Sequence, residues 1–98
     1  MFDLEREIQK RITRAQYYLD PNNNPALVRV YQIEIDTLET APRNELELKG
    51  VIRRLEAKIE KTMNIDECEP LYAKRETLEW LLHLIKSGKP LSPDWSKS

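Results

Sequence analysis

Near the start of the chain apolar residues return at steps of three and four: Leu4, Ile8, Ile12, Ala15 and Leu19. That spacing lines them up on one side of a helix, so the pattern predicts a helix over residues 3–19. Asp3, Glu5 and Glu7 crowd its first turns, where the helix dipole favours anions. The sequence DPNNNP at 20–25 then breaks the period with turn chemistry. A matching stripe, Leu48, Ile52, Leu55, Ile59 and Met63, predicts a further helix over 45–63. Asn44 followed by Glu47 reads as its capping box, and Gly50 weakens it slightly.

The segment between these two supports two readings. As a helix, Leu27, Tyr31, Ile35 and Leu38 form a stripe and Pro25 suits the first helical position. As a strand, Tyr31, Ile33 and Ile35 alternate among β-branched neighbours, and ELEL at 45–48 could be the partner strand. Segment length and the regular neighbours favour the helix. A fourth helix is expected from Asp66 or Pro70 to Ser87, with Asp66 as N-cap. Gly88 reads as its left-handed terminator, and Pro90 bars continuation. The expected fold is all-α: an up-and-down bundle of four helices over residues 1–88, with an extended tail over 89–98. The alternative is an α+β fold with a hairpin from residues 27–49.

Composition agrees. Ninety-eight residues make one domain, and 34% charged against 40% apolar residues, with two glycines, suits a helical chain. The net charge of −1 weighs against a dedicated nucleic-acid binder, which is usually basic throughout. One cysteine excludes an internal disulfide and fits a reducing compartment. The N-terminal sequence MFDLEREIQKR is too charged for a signal peptide, and WLLHLI, the longest apolar run, is far short of a membrane span. A soluble, cytoplasmic protein with no membrane partner is expected.

Candidate chemistry is sparse. Cys68 lies among Asp66, Glu67 and Glu69, whose charges oppose a thiolate but suit a helix start. His83 lies fifteen residues on, about 22 Å along a continuous helix, so the two cannot act together. No pair of ligands has zinc spacing, no acidic loop has the calcium pattern, and Gly50 and Gly88 are isolated. Neither a metal, a cofactor nor an enzymatic activity is expected.

Two other features point to partners. Arg6, Lys10 and Arg14 recur every four residues with Tyr17 next on the same face, and Arg54, Lys58 and Lys61 do likewise with Arg53 beside them. Such stripes could track a phosphate backbone, with Tyr17 or Tyr18 stacking on a base. Their acidic counterpart could equally be internal, because the four segments carry net charges of plus one, minus two, plus one and minus two. The second feature is an apolar surplus. A bundle helix needs about three apolar positions in seven, yet TLEWLLHLI has six in nine. The chain's own helices, a second copy of the chain or a different protein could cover it. Trp80, Leu81, Leu84 and Ile85 are thus the candidate partner interface of a small adaptor, inhibitor or assembly subunit that self-associates. Leu91 and Trp95 in the tail could fold over the same surface.

Overall fold

A computed structural model describes residues 3–87 as four helices: α1 (Leu4–Tyr17), α2 (Pro25–Thr40), α3 (Glu45–Lys61) and α4 (Ile65–Ser87). Among the described residues there is no strand, so residues 27–49 form helix, turn and helix rather than a hairpin. The expected terminator Gly88, the blocking Pro90 and the tail with Leu91 and Trp95 lie outside the described residues.

Each helix begins at a short polar side chain that accepts a hydrogen bond from a free amide of the first turn. Asp3 accepts from the Arg6 amide at 3.2 Å, and Asn24 from Ala26 at 2.9 Å. Asn44 accepts from Leu46 at 2.8 Å and from Glu47 at 3.2 Å. Asn64 accepts from Asp66 at 2.9 Å, so α4 is capped two residues earlier than expected and begins at Ile65. Pro70 then falls in the sixth position of α4, where it cannot donate to the Asp66 carbonyl. The 20–25 turn closes on itself: Asp20 accepts from the Asn22 amide at 2.8 Å, and the Asn23 side chain donates to the Tyr18 carbonyl at 3.0 Å.

α1 and α2 form an antiparallel pair. Tyr18 at the end of α1 stacks on Tyr31 near the start of α2, Arg11 meets Glu34 midway, and Arg43 beyond α2 reaches Glu5 at 2.8 Å. α4 is the centre of the bundle. It packs against α3 and α2 and touches α1, whereas α2 and α3, although consecutive, make no close backbone approach. The core draws Ile8, Ile12 and Ala15 from α1, Ile35 and Leu38 from α2, and Leu48, Ile52 and Leu55 from α3. From α4 come Leu78, Trp80, Leu81 and Leu84. Each such aliphatic side chain contributes about 1.5–3 kcal/mol by leaving water. The buried Thr37 and Thr77 hydroxyls donate to the carbonyls one turn back, Ile33 and Ala73, at 2.6 and 3.0 Å. Among the described residues no buried side-chain polar atom lacks a partner.

Candidate interaction surfaces

The apolar run of α4 turns inward. Leu81 and Leu84 are 0% exposed and Trp80 only 8%, while Ile85 is half-buried against the core. The reason is topological: a helix packed on three neighbours needs apolar residues around most of its circumference. Arg11 covers one face of Trp80, with its guanidinium 4.4 Å from the ring centroid while it donates to Glu34. Within the single chain, then, the first of the three expected coverings applies to Trp80, Leu81 and Leu84, which the chain's own helices bury, and in part to Ile85.

The α1 stripe does face solvent. Arg6, Lys10, Arg14 and Tyr17 are all exposed, since they lie opposite the Ile8–Ile12–Ala15 stripe. Lys10 pairs with Glu7 on its own helix at 3.2 Å, whereas Arg6 and Arg14 make no ion pair among the described residues. Tyr17 is 82% exposed and meets Tyr18 edge-on at 5.6 Å. Tyr18 in turn stacks on Tyr31 at 4.8 Å, so the aromatic ladder ends in an open ring at the solvent side.

α3 carries the larger basic face. Because it packs on α4 alone, the side opposite Leu48, Ile52 and Leu55 is open. Arg53, Arg54, Lys58 and Lys61 are all exposed there, and none forms an ion pair among the described residues. The internal charge pairing expected between successive helices therefore holds for α1 with α2, through Arg11 and Glu34, and not for α3 with α4. Between the cations lie Gly50 and Ala57, and a Cβ added at Gly50 would meet open space.

The α3–α4 boundary exposes Met63 at 97% and Ile65 at 81%, and Tyr72, two turns into α4, is 51% exposed. The periodic reading counts Met63 into the α3 stripe, but α3 ends at Lys61 with Thr62 as its C-cap. The stop is encoded nearby: Asn64 and Glu67 have the same spacing as Asn44 and Glu47, a second helix start that cuts the stripe short. Other exposed apolar residues are Leu46, Leu27 and Val30.

Cys68 lies in the first turns of α4, as its acidic surroundings imply, and its thiol donates to the Thr62 carbonyl at 3.6 Å. It fastens the end of α3 to the start of α4. His83 is exposed, near the far end of the same helix. Among the described residues no three His, Cys, Asp or Glu side chains are placed to hold a metal ion, and no helix is long and apolar enough to cross a membrane. A shallow groove of about 430 Å³ runs between the 20–25 turn and the first turns of α2, lined by Pro21, Asn23, Pro25, Val28, Arg29 and Gln32. Its lining offers one charged group and no acid, base or nucleophile in contact with another.

What the geometry defines, then, is a small all-α bundle whose distinctive groups are on its surface. The chain matches no known protein family, no curated protein and no solved structure.

Proposed function

We propose that this protein is a non-catalytic interaction module, an adaptor, inhibitor or assembly subunit of the cytoplasm, that works by docking on another protein or on a second copy of itself. The observation that carries the reading is the exposure of three large apolar side chains, Met63 and Ile65 at the start of α4 and Tyr72 two turns further on, beside a core that is closed without them. Large apolar side chains left exposed favour a partner, because their hydration is a standing cost that docking removes. A Tyr rim and a flexible Met also suit an interface. The test is capture of the tagged protein from lysate of its source, half of it nuclease-treated, in parallel with Ile65→Glu. The expected result is a stoichiometric protein companion, this chain included, that survives nuclease and is lost with Ile65→Glu while helicity is kept. Companions equally well retained by Ile65→Glu would refute this use of the surface.

A second reading rests on the α1 stripe: Arg6, Lys10 and Arg14 along a backbone of phosphates, with the open Tyr17 ring stacked on a base. It predicts binding of a fluorescent single-stranded oligonucleotide that weakens by roughly one log unit per log unit of salt for each phosphate contacted. Binding that is absent at low salt, or unmoved by salt, would end this reading.

A further inference from the structure

Little holds the first turn of α4 in place. Of residues 63–69, only Cys68 is half-buried; the other six are exposed, and none joins the core. Leu71 is the first hydrophobic residue of α4 packed against that core, and Thr77 is the first buried residue of the helix. Among the described residues no ion pair reaches 63–69. Two side-chain hydrogen bonds do: Asn64 accepts from the Asp66 amide at 2.9 Å, and the Cys68 thiol donates to the Thr62 carbonyl at 3.6 Å. The Asn64 carbonyl accepts in addition from the Glu67 and Cys68 amides, at 3.2 and 3.1 Å.

Pro70 works against this turn. It has no N–H to give the Asp66 carbonyl, and its ring crowds the turn behind it. A helix that began at Pro70 would carry neither cost, because the first position needs no donor and the fixed φ of proline suits it. Glu69 would then stand at the new start, where the helix dipole favours an anion. α3 offers the contrast. It begins with the same spacing, Asn44 and Glu47, but its fourth residue, Leu48, is already 0% exposed, and the helix contains no proline.

We infer that α4 has two starts, one at Ile65 under the Asn64 cap and one at Pro70, and that residues 64–69 pass between helix and open chain as a unit while the bundle stays folded. The inference concerns the segment that carries Ile65 but does not depend on a partner there. α3 keeps its seat in both forms, since the core that Leu48, Ile52 and Leu55 join takes its α4 members from Leu78 onward. Opening lengthens the connection: six residues rise about 9 Å as helix and span up to about 20 Å as extended chain. The device is a strap between α3 and α4 that pays out without disturbing the core, and Ile65 moves with it.

The test is amide hydrogen exchange of the full chain, residue by residue by NMR, with rates corrected for neighbouring side chains. In the helix the amides of Glu69, Leu71, Tyr72 and Ala73 bond to the carbonyls of Ile65, Glu67, Cys68 and Glu69, so opening frees all four together. They should share one opening equilibrium and exchange at least about tenfold faster than residues 49–53, which stand at the same distances from the α3 cap. Ordinary fraying of a capped start would affect both sets alike. Pro70→Ala restores the missing bond and should slow the four amides at least about tenfold. Asn64→Ala should speed them about fivefold. Leu84→Ala weakens the whole bundle, so it should speed residues 78–84 and leave 69–73 unchanged. Exchange at 69–73 no faster than at 49–53, or rates there that follow Leu84→Ala, would overturn the inference, as would wild-type rates in either Pro70→Ala or Asn64→Ala.

Discussion

Leu84 gives the sharpest measure of whether the apolar run of α4 is core or interface. It is 0% exposed and lies in the cluster formed with Leu81, Leu78 and the inner residues of the other helices. Truncation to alanine removes its transfer free energy and leaves a cavity, together about 2–5 kcal/mol. The higher half of that range applies, because a helix held by neighbours on several sides has little freedom to collapse into the void. A domain of this size has about 5–15 kcal/mol in all, and each kcal/mol moves its midpoint by about 4–8 °C. Leu84→Ala should therefore lower Tm by roughly 14–40 °C while the folded protein at room temperature keeps its helicity and mass. Leu84→Glu buries an unpaired carboxylate and should abolish the fold outright. The half-buried Ile85 is the control, and Ile85→Ala should cost about 1 kcal/mol. The assay is thermal unfolding followed by far-UV circular dichroism, with mass by light scattering. A Leu84→Ala protein that melts within a few degrees of wild type, and differs only in association, would show that this side chain faces outward.

Gly50→Ala should stabilise the protein by about 0.5–1 kcal/mol, since the new Cβ meets open space and a helix interior favours alanine; a lower Tm would contradict the geometry at α3. Asn44→Ala removes the side chain that accepts from two amides at the start of α3 and should cost about 1 kcal/mol in a denaturant titration, with the slope unchanged. Arg11→Ala uncovers one face of Trp80 and leaves Glu34 without its donor, so a loss of about 1–3 kcal/mol is expected, with a change in tryptophan emission on the same sample. An unchanged midpoint would mean that neither contact persists in solution.

Helices that pack on one side were legible in the sequence. α3 touches only α4, and Leu48, Ile52 and Leu55 were readable as its buried stripe without further information. α1, which faces α2 and brushes α4, reads nearly as clearly through Ile8, Ile12 and Ala15. Helices that pack on several sides were not legible in the same way. α2 lies between α1 and α4, so its apolar residues spread around the helix, and a wide distribution of β-branched residues resembles a strand as much as a helix. In α4 the same spreading looks like surplus, and a surplus invites a partner. What separates a central helix from a sticky one is the arrangement of the other elements, which no single segment contains. The ends of helices obeyed local chemistry: Asp3, Asn24, Asn44 and Asn64 each begin one. The exposed Met63 and Ile65 escape a periodicity argument because they flank such a boundary, where the period itself stops.

The position of α4 also governs the order in which the fold can be completed. The helix on which both α2 and α3 pack is the last of the four to leave the ribosome. Until then α1 and α2 can pair locally, but α3 has nothing to rest on, and the sides of α2 and α3 that α4 will cover are wet. Native structure must therefore arrive late and together, when the stretch from Thr77 to Leu84 emerges and draws the earlier helices onto itself. A nascent chain paused after α3 should therefore lack the protected core that appears once α4 has emerged.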